Sequence, residues 1–318
     1  MKGILTELLY VLIGFVMFAI SLRTLREKDH PKRWTTALFW GVLGFIFIFS
    51  KLGVFWGNPE FKIPSVAIGY LVLALGALAA FNRIDAGNDK TAAEAEREQA
   101  AKKLGNKIFI PAVSIALLTF FFAILPITKP LGSLVALGLA SFGALIIAIV
   151  ITKSTPKESL YEGGRLLKLV GPLSLLPQLL GALGAVFTVA GVGEVISGFM
   201  GNIIPQGSPF AGVLFYCIGM ALFTIIMGNA FAAFAVITAG IGIPFVIAQG
   251  GDPVVVGILG LTAGYCGTLL TPMAANFNVV SATVLEMKNK QFGVIRYQAP
   301  VALVMWALHV VAMYFLAF

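Results

Sequence analysis

Between Met227 and Asn278 the chain sets polar and helix-breaking residues into otherwise apolar sequence, in two groups. The first is Met227-Gly228-Asn229-Ala230, with Thr238 and Gly240 further along. The second runs from Gly264 through Gly267, Thr268, Thr271 and Pro272 to Asn276 and Asn278. Backbone freed at membrane depth is tolerated only inside protein or along a watery cavity, and paired Gly/Pro-broken apolar segments point to a binding site. At the first break, helix N–H groups and the helix dipole would favour an anion, and Asn229 can donate to a carboxylate. Gly228-Asn229 can equally be a tight turn between two spans. At the second break, Pro272 cannot donate to the helix ladder. Freed carbonyls near Gly267 and Thr268, with the Thr268 and Thr271 hydroxyls, form an oxygen set suited to Na⁺, and Asn276 and Asn278 add neutral polar groups.

Other ionisable groups within apolar sequence are few. Glu194 is a candidate for carrying a proton or pairing with a cation, or it reaches the outer interface near Ser197. His309 reads as a helix-bonding group. No HExxH, GxSxG, P-loop or pair of intramembrane acids is present, so no enzyme is indicated. Cys217 and Cys266 have no metal or disulfide spacing and read as small buried hydrophobes. No cofactor is implied beyond a coupling ion.

The elements that position these residues are membrane helices. Of the 318 residues, 59% are hydrophobic and only 11% charged, against about 25% charged in soluble domains. Runs of about 20 apolar residues, enough to cross a bilayer, give an all-α polytopic membrane protein with about eight transmembrane helices plus one re-entrant helical hairpin and a broken helix. Spans are expected near Ile4–Leu22 (read as a span, not a removed signal peptide), Thr36–Trp56, Pro64–Phe81, Ile108–Leu125 and from Lys129-Pro130 to Ile151. Asp89–Leu104 reads as a solvated helix. Leu166–Ile196 is apolar but punctured by Gly171, Pro172 and Pro177, and Tyr161–Arg165 reads as a turn leading into it. Phe210–Ala248 is read as the hairpin, with its tip at Gly228-Asn229, and Val254–Leu285 as the broken helix. Tyr297–Phe318 is the last span. Residues 1–151 form a five-helix scaffold carrying the helical loop 82–107, and residues 152–318 form the transport-type region.

The net charge of +8 does not indicate nucleic acid. The segments 23–33, 82–107, 152–168 and 286–296 hold 18 of the 22 Lys and Arg. All four fall on one side of the membrane, the cytoplasmic side by the positive-inside rule, with both termini outside.

The Gly228-to-Pro244 stretch (GNAFAAFAVITAGIGIP) and the GTLLTPMAANFN stretch resemble the larger permease subunit of the bacterial two-component 5-oxoproline transporter family. They are more distantly similar to the ion transporter superfamily, which includes gluconate permeases and divalent-anion/sodium symporters. The resemblance implies an inner-membrane secondary carrier for a small carboxylate, coupled to Na⁺ or H⁺. Gly228 and Asn229 match the hairpin tip, although Met227 stands where a small polar residue is common. Thr238 matches the returning arm, and Gly267, Thr268, Thr271 and Pro272 match the broken helix. Substrate contacts are then expected from Gly228, Asn229, Thr238, Asn276 and Asn278. Cation contacts are expected from Gly228, Asn229, Gly267, Thr268 and Thr271. Residues 1–151 show no second tip-and-break pair, which implies a second permease subunit as partner. The rival reading is a non-transporting membrane scaffold for an enzyme, with the 82–107 helix as its handle.

Overall fold

The computed structural model describes residues 2–318 apart from 52, 54, 56, 59, 61, 88, 90–92, 126–131, 206, 275–276 and 286. Secondary structure among the described residues is helical, without strands. Among the described residues six stretches are long and apolar enough to cross a membrane: Gly3–Arg26, Ala95–Ile124, Ser133–Thr152, Pro209–Met227, Ala230–Gln249 and Gly293–Ala317, with the bent pair Pro156–Val170 and Leu173–Val189 a seventh if it is one span. Arg33–Phe49, Ser65–Ala80 and Pro253–Thr268 are shorter apolar helices. The chain packs as two compact units, Met1–Gly171 and Pro172–Phe318.

The first unit contains α1 (Lys2–Arg26), α2 (Arg33–Phe49), α3 (Ser65–Ala80), α4 (Glu94–Leu104), α5 (Ile110–Ile124), α6 (Ser133–Thr152) and α7 (Pro156–Val170). In lipid, helices gain no hydrophobic free energy by meeting, so close packing and interhelical hydrogen bonds hold them. Gly14 of α1 and Gly44 of α2 supply the first: a Cβ on either would lie 2.9 Å from the other's carbonyl oxygen. Ser21 supplies the second, donating to the Ala37 carbonyl at 2.7 Å. α4 is solvent-exposed, as its composition requires, and a 3₁₀ turn at Gly105–Phe109 joins it directly to α5.

Three basic segments meet in this unit. The Lys168 ammonium of α7 is buried, 2.9 and 3.0 Å from the two Glu27 carboxylate oxygens and 2.8 Å from Asp89 Oδ2. Arg23 pairs with Glu27 at 3.3 Å and with Asp89, and its guanidinium stacks 4.1 Å over the Tyr161 ring. The Asp85 N–H donates to Thr36 Oγ1 at 3.1 Å. Asp85 and Asp89 are thus tied into the fold, while α4 is exposed.

One expectation changes here. Residues 156–170 form a helix, because Thr155 and Glu158 make a reciprocal capping box and Pro156 stands where a helix can begin. The expected turn at Tyr161–Arg165 is therefore mid-helix. Lys168 ties this helix to α1, and the compact units divide just after it, at Gly171–Pro172.

The second unit contains α8 (Leu176–Val189), α9 (Val192–Met200), α10 (Pro209–Met227), α11 (Ala230–Ile237), α12 (Ile243–Phe245), α13 (Pro253–Thr268), α14 (Val279–Val284) and α15 (Gly293–Ala317). Its core is Val213, Tyr216, Cys217, Met220, Val256, Ala263 and Met313, and both cysteines are buried and unpaired. The helix starts follow from sequence. Ser208 and Asp252 cap α10 and α13, each followed by proline. Gly191, in the left-handed region, separates α8 from α9. A π-helical turn at Thr238–Gly242 interrupts the arm that returns from Asn229. Both arms flanking Gly228-Asn229 have spanning length, at 19 and 20 residues. At 1.5 Å per residue, α10 covers about 28 Å and α13 about 24 Å. The tip and the break therefore lie near the far ends of these helices, not halfway along them.

Candidate functional site

The tip and the break converge. α10 ends at Gly228 with φ +71°, and Asn229 caps α11, its Oδ1 accepting from the N–H groups of Phe231 (2.9 Å) and Ala232 (3.4 Å). α13 ends at Thr268, and the described residues between it and Val279 are non-helical. A Cβ on Gly228 would overlap the Met273 carbonyl, and one on Gly267 would overlap the Ala221 carbonyl. Backbone meets backbone at both places, so the two glycines are packing requirements of the crossing.

Gly228, Asn229 and Thr268 line one cavity of about 370 Å³, with Ala230, Phe231, Tyr265, Leu269, Met273, Phe277 and Leu180. Phe231 and Tyr265 meet edge to face at 5.9 Å. None of the lining residues carries a charge. Asn229 Nδ2 and the Tyr265 hydroxyl have no partner among the described residues and are the free polar groups at the wall. The cavity fits a small molecule with an apolar body and one hydrogen-bonding edge. A carboxylate would find its counter-charge elsewhere, and the N–H groups of Phe231 and Ala232 are already taken by Asn229.

The oxygen set of the break is satisfied from within. Thr268 Oγ1 donates to the Tyr265 carbonyl (2.6 Å), and Thr271 Oγ1 donates to the Ile225 carbonyl (2.8 Å) while accepting from the Met273 N–H (3.1 Å). Asn278, buried, donates its amide to the carbonyls of Thr268 (2.8 Å) and Thr271 (2.7 Å). Gln298 of α15 donates to the Leu269 carbonyl (2.9 Å) and to Asn278 Oδ1 (2.5 Å). A cation at these carbonyls would compete with N–H donors already aimed at them. Asn278 accordingly lies in the packed interior of the break and not on the cavity wall, and Asn276 lies outside the described residues. Sequence reasoning missed Tyr265 and Gln298. The latter had a signal, since a glutamine beside an apolar span needs an internal partner.

Thr238 and Glu194 stand apart. The Thr238 hydroxyl is 2.8 Å from the buried Tyr216 hydroxyl, in the core and not at the tip. Glu194 lines a second cavity of about 460 Å³ with Thr188, Gly191, Gly193, Ser197, Ala235, Val236, Ala239, Ile243 and Pro244. His309 bonds its own helix, Nδ1 lying 2.7 Å from the Met305 carbonyl. No group of three or more metal-binding side chains occurs among the described residues.

Long apolar helices, glycine-mediated crossings and internally capped breaks define a multi-pass helical membrane protein. The chain belongs to the family described as protein of unknown function (DUF979), which it matches over residues 7–318. No curated protein and no solved structure matches it.

Proposed function

We propose that this chain is one subunit of a hetero-oligomeric secondary active transporter in the bacterial inner membrane. It moves a small carboxylate, with 5-oxoproline the best candidate, coupled to Na⁺ or H⁺. It works with a second permease subunit, and the hairpin-containing unit shifts in an elevator-like movement of the ion-transporter-superfamily kind. It is not an enzyme. The observation that carries the reading is the convergence of the Gly228-Asn229 tip and the Thr268–Asn278 break on one uncharged cavity. The meeting of three basic segments around Lys168 supports a common cytoplasmic side for them, and with it termini on the outside. The lack of any Lys, Arg or His between Lys168 and Lys288 supports a partner that supplies the cationic half of a carboxylate site.

The test uses proteoliposomes holding both subunits and labelled 5-oxoproline. Asn229→Ser keeps a capping oxygen but removes the free amide. It is expected to fold as the parent does and to lose most uptake, as is Tyr265→Phe to a lesser degree. Unchanged uptake in both variants would remove the site from this cavity.

The scaffold reading is favoured by one feature, the exposed helix α4. Deleting 82–107 would also remove Asp85 and Asp89, which hold the first unit together. The separating variant therefore replaces only Glu94–Leu104 with a flexible linker: a carrier keeps its uptake, and a scaffold loses its partner.

A further inference from the structure

The last helix of the first unit, α7, meets the protein with its polar side. Tyr161, Gly164 and Lys168 follow one another at spacings of three and four and so share a face. That face lies on the end of α1. Arg23 Nη1 donates to the Tyr161 carbonyl at 3.4 Å, and Lys168 Nζ donates to Glu27 at 2.9 Å. Between these contacts, a Cβ on Gly164 would lie 3.5 Å from Arg23 Nη1 and 3.9 Å from Ile20 Cγ1. Leu160, Gly163 and Leu167 form a second stripe by the same spacing. Leu160 is 70% exposed, and a Cβ on Gly163 would meet nothing within 4 Å. Glu158, Glu162 and Arg165 form a third stripe, on the side of the helix opposite the second. Glu162 and Arg165 pair with each other at 2.7 Å. The helix thus presents an open apolar stripe on one side and a charged stripe on the other.

The position of α7 decides what covers the apolar stripe. The span α6 ends at Thr152 and α7 begins at Pro156, so α7 starts within about 14 Å of the end of that span. Residues 161–168 then pack on residues 20–27, the end of the span α1. A helix held at the ends of two spans lies at the membrane surface. Lys153 and Lys157 stand at the α6–α7 junction, are exposed, and have no ion pair among the described residues. Glu158, the acid beside them, is engaged in the capping box. The other two cations of this segment are matched, Arg165 by Glu162 and Lys168 by Glu27 and Asp89. The unmatched charge at this end is therefore positive, which suits anionic headgroups.

We propose that α7 is an interfacial helix seated on anionic phospholipid. Leu160, Gly163 and Leu167 face the acyl chains, Glu158, Glu162 and Arg165 face water, and Lys153 and Lys157 meet lipid phosphates. A short helix with one apolar stripe, one charged stripe and basic flanks lies in the boundary and not across it. The seat sets the depth of the first unit in the bilayer, because Lys168 fastens α7 to α1. The inference rests on the membrane class of the chain and is independent of the carrier reading.

The test uses full-length protein in which Cys217→Ala and Cys266→Ala leave one introduced cysteine to carry a nitroxide. Labels are placed at Leu160→Cys, Gly163→Cys and Glu162→Cys, in phosphatidylcholine vesicles containing phosphatidylglycerol. Collisions with oxygen, which concentrates in lipid, are compared with collisions with a water-soluble nickel chelate. The oxygen-to-nickel ratio is expected to be severalfold higher at Leu160 and Gly163 than at Glu162. Equal ratios at the three positions would put the apolar stripe in water and overturn the seat. Labels at Leu160 and Gly163 that are immobilised and shielded from both reagents would reveal a protein neighbour, a partner subunit or a second copy, and would overturn it as well. The headgroup contact is read separately, from the preference of the protein's boundary layer for spin-labelled phosphatidylglycerol over spin-labelled phosphatidylcholine. Lys153→Gln with Lys157→Gln should lower that preference while the Leu160 label stays in lipid. An unchanged preference would remove anionic lipid from the proposal.

Discussion

Gly228 lies with its α-carbon against the backbone carbonyl of Met273, at φ +71°. Two separate demands therefore exclude a side chain: the left-handed backbone and the crossing of tip and break. Gly250 isolates the first, since its φ is +104° and nothing lies within 4 Å of a Cβ built there. Gly250→Ala is expected to cost about 1–2 kcal/mol for conformation alone. Gly228→Ala should cost a further ~1–3 kcal/mol for forced displacement of the Met273 backbone. Chemical unfolding in detergent compares the two. Equal costs would mean that the break does not pack on the tip.

The Asn278 side chain joins the break to α15. Removing it leaves the carbonyls of Thr268 and Thr271 without these donors and Gln298 with the Leu269 carbonyl but without the Asn278 acceptor. Asn278→Ala is expected to destabilise by about 1–3 kcal/mol. Because Gln298 serves the same network, the double variant with Gln298→Ala should cost less than the two single costs added. Strict additivity, read from the same unfolding curves, would show that the two amides act independently.

Lys168 balances Glu27 and Asp89 in the interior of the first unit. Lys168→Met leaves two carboxylates beside one guanidinium, and breaking a buried pair from one side costs about 3–5 kcal/mol. Adding Asp89→Asn removes one of the stranded charges and should recover part of that loss. A Lys168→Met protein with parental stability, or a double variant less stable than the single, would contradict the clamp.

The capping box of α7 gives a pH signature. Hydrogen bonds from the Thr155 backbone N–H and then its hydroxyl hold the exposed Glu158 carboxyl below the usual glutamate range. The folded-state value is depressed, so the stabilisation is fully present above the ordinary glutamate value and is lost as pH falls through the lowered one. Amide hydrogen exchange in the first turn of α7 should quicken across that acid window in the parent protein and show no such step in Glu158→Gln. A step retained in the variant would assign the change to another group.

The membrane class, the two breaks and most of the helix starts were legible in the sequence, because each is set by nearby residues: Ser208-Pro209, Asn229, Asp252-Pro253 and the Gly267–Pro272 group. What escaped depends on residues far apart in the chain. Lys168 lies 141 positions from Glu27, and nothing local separates a solvated lysine from a buried one. The break looked like a source of free oxygens because its hydroxyls and carbonyls are visible in sequence. Asn278 and Gln298, which cap them, are assigned to that task only by the packing of α15. Thr238 looked like a site residue by its place on the returning arm, yet the facing Tyr216 takes its hydroxyl into the core.

The long interval without positive charge has a further meaning for biosynthesis. Between Lys168 and Lys288 the nascent chain offers the translocation machinery no lysine or arginine by which to orient a helix. Every hydrophobic segment from α8 to α13 must take its direction from what flanks it. Lys168 is the last positive residue before that interval, and its burial against Glu27 and Asp89 ties it to the rest of the first unit.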